Sequence, residues 1–414
     1  MKERVAAVVV GAGPAGAISA LLLAREGHPV ILLDRRGFPR AKPCGDCISA
    51  GANRLLDEIG LLAPILELKP ARLEAWRLYS PSGTPLELRF DDTAPGDERV
   101  AVSLALSRER LDAALVDQAR SAGADVRLGV RVERLEHCGS GVVVTGRDGH
   151  GAAVRIEARL VIGADGLRST VARSIGAFRR APRLRKLSLT AHLSDVRGVG
   201  AAGELHFGDG LCAGVAPVDA DATRCNVTLV AGVRHGRDVA RDAHAFFFAA
   251  LESFPALRGR VPRPPAGAGL LASGPFDWPT RRVTADRIAL VGDAAGYYDP
   301  LTGQGIHQAV AGAMALTRHA SDALRSDAPL SAALDAYARE QARLAGPPRQ
   351  LQRLLELSTA RPARAERALR RLARARRAAL AVLAATSDVA HPAALLSPLT
   401  LLSFASPRLL ENRS

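Results

Sequence analysis

The unbroken apolar run Val5 to Val10 leads straight into Gly11-Ala12-Gly13-Pro14-Ala15-Gly16, and this junction constrains the chain more than any other feature. Continuous apolar character without alternation predicts a strand buried on both faces, the signature of a parallel sheet covered by helices. The glycine spacing predicts a tight turn at Gly11, a close backbone approach to a pyrophosphate at Gly13, and close strand–helix packing at Gly16. Ala15 to Arg25 then shows helical periodicity, which stops at Gly27. Val30 to Asp34 reads as the next buried strand, completing a βαβ unit. Asp34, about 20 residues past the glycines, ends that strand where a carboxylate can accept both hydroxyls of an adenosine ribose, with Arg35 beside it. A dinucleotide site follows, and NAD and FAD both fit it.

Two further strand ends favour the flavin. Gly163-Ala164-Asp165-Gly166 closes a buried strand from Leu160, and Leu290-Val291-Gly292-Asp293 closes another, followed by Pro300-Leu301-Thr302-Gly303-Gln304-Gly305-Ile306. A Gly-Asp at a strand end aims a carboxylate at the polyol chain of a flavin. The glycine-rich turn then offers backbone amides at a helix start to the electron-rich edge of the ring.

Between these motifs the pattern changes. From Ala71 to Arg89, and again from Arg183 to Trp278 around one helix near Ala243 to Phe254, short alternating segments with turn residues predict antiparallel sheet. The expected fold is therefore α/β: a Rossmann-type FAD-binding domain over residues 1–70, 106–180 and 281–345, with an antiparallel-sheet substrate domain inserted over 71–105 and 181–280. After Gly346 the chain turns to Arg, Ala and Leu. Helical patterns at Arg349 to Ser358 and Ala363 to Ala385, then an apolar stretch Leu395 to Phe404, make 346–414 a helical cap over the site or a basic segment lying on a membrane surface.

The 414 residues suffice for two merged domains, and 48% hydrophobic with 24% charged residues fits a folded chain. A net charge of +14 admits nucleic acid, an anionic membrane or an acidic substrate, but Arg-for-Lys usage fits an ordinary solvated surface, and no specific nucleic-acid contact is predicted. Five cysteines at irregular spacing are no disulfide framework. With neither a signal peptide nor a membrane span in the pattern, the expected location is the cytoplasm, with contact at a membrane surface through the tail as the variant.

These motifs, in this order, resemble the FAD-dependent geranylgeranyl and menaquinone reductases and, more distantly, the aromatic hydroxylases with a single FAD domain. The likeness covers Ala6 to Ala315 and is strongest at the glycine motifs. The stretch Phe38-Pro39-Arg40-Ala41-Lys42-Pro43-Cys44-Gly45-Asp46 is similar to the reductase loop that carries Lys-Pro-Cys-Gly beside the flavin. The resemblance implies FAD contacts from Ala15, Asp34, Cys44, Gly45, Arg108, Val132, Asp293, Gly305 and Ile306. It also implies a cofactor-holding role for Asp165, as in the hydroxylases. A second Rossmann motif is absent, so NADPH or NADH is expected to dock transiently as electron donor.

Cys44 and Cys47 form a C-x-x-C without the second ligand pair that a closed zinc site needs, so no metal is predicted. The favoured role is local: Cys44 is either a proton donor or substrate-orienting thiol, or a small filler against the ring, with a redox dithiol between Cys44 and Cys47 as the lesser alternative. His307, just inside the helix beneath the ring, is a catalytic candidate if the helix start keeps its imidazole neutral, and otherwise a packed or solvated side chain. Where the reductases carry an aromatic strand of the type Gly-Tyr-x-Trp-x-Phe-Pro, this chain has Gly210 to Pro217, with Gly214 for the Trp and Ala216 for the Phe. Loss of two aromatic walls predicts a wider pocket. The expected substrate is hydrophobic: polyprenyl, quinone or polyketide-like. The expected reaction is C=C reduction by hydride from reduced FAD, with an oxygen-dependent hydroxylase or epoxidase as the alternative and a non-catalytic flavin-binding partner as a third reading. A halogenase is disfavoured, since no Trp-x-Trp-x-Ile-Pro element and no suitably placed lysine is seen.

Overall fold

The computed structural model describes residues 3–92, 101–139, 141–178, 186–263 and 269–396. The apolar run forms Glu3–Val10, in the interior of an eight-stranded sheet. Strands Ile288–Leu290, Ala153–Gly163, Glu3–Val10, Val30–Asp34 and Asp125–Leu128 lie in that order, all parallel. Thr284–Ala285 adds an antiparallel edge. The first half of Ala153–Gly163 also pairs antiparallel with Gly141–Arg147, which pairs in turn with Arg131–Cys138. Helices Pro14–Arg25, Arg108–Ser121 and Gly305–Arg325 bury their apolar faces in one shared core with the sheet. This packing brings three strand ends, at residues 10, 163 and 290, side by side.

The second layer is a seven-stranded sheet in the order Leu271–Ser273, Lys186–Ser194, Arg224–Gly232, Leu211–Pro217, Ala202–Phe207, Ala75–Tyr79, Pro85–Arg89. Its outer face packs under helix Ala243–Glu252 through Leu189, Val227, Phe247 and Leu251. A small sheet of Cys47–Ile48, Ser103–Ala105 and Ala71–Leu73 joins the two layers by packing Cys47, Leu73 and Ala105 against Ala216 of the large sheet. Among the described residues the architecture is α/β with mixed sheets and 11 helices.

The C-terminal region departs from the sequence pattern. Gly346 is no boundary: one helix, Ser331–Thr359, runs through Pro347 and Pro348. Each proline removes a helical N–H donor, yet the same face stays buried on both sides of them, at Leu334, Tyr337 and Gln341 before and Leu351 and Gln352 after. Tyr337 also donates a hydrogen bond to the Leu290 carbonyl at 2.6 Å. Tertiary burial here outweighs local propensity. The single helix expected over 363–385 divides at Ala375 into Pro362–Arg374 and Arg376–Thr386. Of the apolar stretch from Leu395, residues 397 onward lie outside the described ones. No helix among the described residues is long and apolar enough to cross a membrane.

Candidate flavin and substrate site

The three glycines of the first turn have different surroundings. Gly11, with φ +101°, is so enclosed that a Cβ would sit 2.4 Å from the Ala164 carbonyl oxygen, and at Gly16 it would sit 1.8 Å from the Gly11 carbonyl oxygen. Neither position accepts any side chain. At Gly13, in contrast, the nearest atoms are one guanidinium nitrogen of Arg108 and one of Arg40, each 3.9 Å away. The open N-terminus of helix Pro14–Arg25, which has no side-chain cap, thus faces space flanked by two cations, an arrangement that suits a pyrophosphate. Pro14 and Ala15 are buried behind it.

Both cations are held in place. Arg108 makes a buried bidentate pair with Asp112 at 2.6 and 2.8 Å. Burial works against its charge, but the Asp112 carboxylate keeps its pKa above the usual arginine value. Arg40 lies 3.8 Å from Asp34 and 3.7 Å from Asp112, over the Phe38 ring, and its buried Nε has no hydrogen-bond partner among the described residues. Asp34 accepts from Ala12 N–H at 2.8 Å and Arg36 N–H at 2.9 Å, which fixes its carboxylate beside the turn. Arg35 points into solvent. An open anion cradle, an unsatisfied buried donor and a fixed carboxylate at a strand end are the features an adenine dinucleotide needs, so the residues fit FAD.

The other two strand ends arrive beside this turn. Gly292, at φ +58°, packs so tightly that a Cβ would come within 2.8 Å of the Ala15 Cβ. Asp293 follows it and lies 3.6 Å from Lys42 Nζ, which ties the third motif to the Lys-Pro-Cys-Gly loop. Gly303, at φ +68°, donates its N–H to the Pro300 carbonyl at 3.0 Å, closing the turn before Gly305 starts helix Gly305–Arg325 with Ile306 buried behind it. Asp165 has a local task. Its carboxylate accepts from Ser169 Oγ, from Thr170 N–H at 2.6 Å and from Val171 N–H at 3.4 Å, capping helix Thr170–Ser174, while burial pushes its pKa up. Val132 is buried in strand Arg131–Cys138, backed by Val142 and Val144 of the sheet's antiparallel arm.

The loop carrying Cys44 and Gly45 is fastened to the substrate sheet by a node that motif reading missed. Asp46, fully buried at φ +56°, accepts from Arg108 N–H at 3.2 Å, from Asn226 Nδ2 at 2.8 Å and pairs with His192 Nε2. Asn226 Nδ2 also donates to the Cys44 carbonyl at 2.7 Å, and Thr228 Oγ1 reaches the same carbonyl at 3.4 Å. Asp46 and Arg40 lie inside the loop quoted above. His192, Asn226 and Thr228 carry no local signal, because only the fold brings them to it.

The two cysteines part company. Cys44 is half-buried with its side chain against Arg108. Cys47 is buried in the small sheet, where desolvation pushes its thiol up to about 12, and it lines a largely apolar cavity open at the protein surface, about 730 Å³ with the solvent-filled mouth included. Near Cys47 the cavity wall is Ser103, Thr302 and Gly303. The wall also includes Trp76, Leu78, Leu205, Phe207 and Leu355, with Val382 and Leu383 of helix Arg376–Thr386. Gly303 is close enough that a Cβ on it would meet the Cys47 Cβ at 3.9 Å, so the flavin turn and the cavity share a wall.

The pocket is not wider at Gly214 and Ala216. The Leu205 side chain lies 3.7 Å from where a Gly214 Cβ would be, and Ala216 is buried against Cys47 and Ala105. An aromatic wall comes instead from the next strands: Trp76 lies flat over Gly203, where a Cβ would collide at 2.7 Å, and Phe207 stands beyond it.

His307 meets the C-terminal segment. Its Nδ1 is 3.5 Å from Asp388, which also accepts from Ser49 Oγ and from Gln304 Nε2, each at 2.7 Å. Burial raises the Asp388 pKa against those three partners. Gly51 allows the contact, since a Cβ there would fall 2.3 Å from the Asp388 carbonyl oxygen.

Residues 4–202 match the FAD binding domain family. Menaquinone reductase of Mycolicibacterium smegmatis is 31% identical over 324 residues, 74% of each chain. Digeranylgeranylglycerophospholipid reductase 2 of Methanopyrus kandleri is 30% identical over 352 residues, 80% of each. A third relative, conditioned medium factor receptor 1 of Dictyostelium discoideum, is 28% identical over 73% of this chain, which spans only 60% of the relative's length. Among solved structures, the myxobacterial chondrochloren halogenase has a TM-score of 0.78 at 19% identity, covering 99% of this chain and 96% of its own, a likeness of fold alone. On the motifs, the open cradle at Gly13 and these identities, the chain belongs to the family of FAD-dependent oxidoreductases that includes the menaquinone and geranylgeranyl reductases.

Proposed function

We propose that this oxidoreductase adds two hydrogens across a C=C bond of an uncharged, largely hydrocarbon substrate. The observation that carries the reading is the wall shared by the flavin turn at Gly303 and an apolar cavity lined, among the described residues, by no charged side chain. An ionised substrate group would lose its hydration there without a partner, at a cost of several kcal/mol.

Bound FAD would supply the hydride, drawn in turn from NADPH or NADH as electron donor. Asp34, Arg40, Arg108 and the Gly13 turn hold the dinucleotide, and Asp46 fixes the Cys44–Gly45 loop against it. Trp76, Leu205 and Phe207 align the substrate and exclude water. The second carbon takes a proton from a cysteine thiol on the short strand that follows this loop, and the thiolate left behind is reprotonated from solvent through the open mouth of the cavity. Cys47 holds one at Sγ on the cavity wall, and its raised pKa keeps it protonated at neutral pH. His307 acts on the helix start through Asp388 rather than on the substrate.

The oxygenase reading draws on the departure at Gly214 and Ala216 from the aromatic strand of the reductases. One experiment separates the two. Anaerobic incubation of photoreduced enzyme with a prenylated quinone, followed by chemical reoxidation of the quinone ring and mass spectrometry, is expected to give a product two hydrogens heavier in its prenyl chain. A product formed only in air and one oxygen heavier would overturn the reductase reading.

A further inference from the structure

The surface built by the last turns of helix Ser331–Thr359 and by helix Pro362–Arg374 has a composition that folding alone does not require. Between Arg361 and Arg377 the sequence carries eight arginines and one acidic residue, Glu366. Helix Pro362–Arg374 buries Ala365 and Leu369 against Phe207 and packs Leu372 beside them, an inward stripe at helical spacing. Its outward face is almost wholly guanidinium. Arg370 pairs with Glu366 at 3.2 Å and Arg376 with Asp92 at 2.7 Å. Arg361, Arg364, Arg367, Arg371, Arg374 and Arg377 are exposed, and none has a carboxylate partner among the described residues. Such an array spans about 20 Å.

A single exposed apolar side chain is ordinary, whereas neighbouring ones rimmed by charge mark a contact surface. Of the three exposed ones among the described residues, Leu354 at 59% and Leu357 at 60% sit on the two turns just before this helix, flanked by Arg353 and Arg361. Leu355 and Thr359, their neighbours on the same turns, line the apolar cavity from inside. One short helical segment is thus the wall of an apolar cavity and an apolar projection on a cationic surface.

We infer that this face docks on an anionic lipid surface, with guanidiniums on lipid phosphates and Leu354 and Leu357 entering the headgroup boundary. A discrete acidic protein would need matched geometry, whereas a helix-long row of arginines, six of them without a carboxylate partner among the described residues, with two apolar studs suits a plane of repeated phosphates. Docking there places the cavity wall at the boundary where hydrocarbon substrates dissolve. The inference stands on surface charge and exposure, independently of which reaction the flavin performs.

Sedimentation of the full-length, FAD-loaded protein with vesicles tests it. Binding is expected to phosphatidylcholine vesicles containing about 30% phosphatidylglycerol, but not to pure phosphatidylcholine, and to weaken with salt. Combining Arg364→Glu, Arg367→Glu and Arg371→Glu should lower the partition coefficient about 100-fold, taking about 1 kcal/mol per arginine lost. Leu354→Ser with Leu357→Ser should lower it about tenfold and leave the charge-dependent part. Visible flavin absorbance and the unfolding midpoint of each variant should match the parent, so a loss of binding is not a loss of fold. Absence of binding to anionic vesicles, or equal binding by the triple variant, would overturn the inference. So would tight binding to a soluble acidic protein such as acyl carrier protein by a chain that ignores vesicles.

Discussion

The inner face of the seven-stranded sheet is two surfaces. On strands Lys186–Ser194 and Arg224–Gly232 the inward positions are polar: Thr190, His192, Asn226 and Thr228 engage one another, Asp46 or the Cys44 carbonyl, and Lys186 bonds Asp299 at 2.9 Å and Glu356 at 2.7 Å. On strands Ala202–Phe207, Ala75–Tyr79 and Pro85–Arg89 they are Leu205, Phe207, Trp76, Leu78 and Leu88, and beyond them is space. The same alternation of strand residues produces both halves. Directional bonds in the first fix the position of the cofactor loop, while non-directional contacts in the second admit an apolar molecule. Positioning and accommodation are divided along one sheet, with Gly214 and Ala216 on the seam.

The largest expected effect comes from breaking the polar half. Asp46→Ala leaves Asn226, His192 and the Arg108 N–H without their acceptor, and should cost about 3–5 kcal/mol of unfolding free energy in urea and strip the flavin colour. A variant with parental stability and full flavin content would show that the node does not position the loop. A smaller and different response is expected from the apolar half. Leu205→Trp fills the cavity, so FAD content should hold while affinity for a prenylated quinone, read from perturbation of the flavin spectrum, falls tenfold or more, about 1.4 kcal/mol. Equal affinity would move the substrate elsewhere.

The smallest effect sharpens the contrast from behind. On the outer side of the apolar half, Glu204 bonds Arg260 at 2.9 and 3.0 Å and His206 at 2.9 Å, with Tyr79 stacked on the imidazole at 4.3 Å. Burial holds the His206 pKa below its ordinary 6.5 despite the Glu204 carboxylate. The folded state therefore takes up this proton less readily than the unfolded chain, so stability falls as pH drops from 6.5 toward the lowered value, by less than about 1.4 kcal/mol per pH unit. Burial lowers His28 in the same direction. His206→Gln should reduce the slope of unfolding free energy against pH without abolishing it, and an unchanged slope would remove His206 from the account.

What the sequence discloses divides along similar lines. Gly11 to Gly16, Asp34 and the strand runs are legible because their physics is local: a turn, a helix start and a carboxylate within one βαβ unit. The Asp46 node is not, since it joins residues 46 and 108 of two legible motifs to residues 192 and 226, which carry no local signal. Asp165 looks like a cofactor ligand by motif, yet its hydrogen bonds close its own helix turn. Trp76 stands far in sequence from the strand whose aromatic residues are missing, and only the pairing of Ala75–Tyr79 with Ala202–Phe207 brings it to the pocket. The helix through Pro347 and Pro348 was hidden for the opposite reason: a strong local signal was overruled by burial.

The central claim is that the Gly13 cradle, with Arg40 and Arg108, binds FAD beside an apolar cavity. Titrating the folded, flavin-free protein with FAD while following visible absorbance tests it most directly. One FAD per chain is expected, with Arg40→Met weakening binding about tenfold through loss of a charge-assisted contact. A properly folded chain that stays colourless in excess FAD would contradict the account.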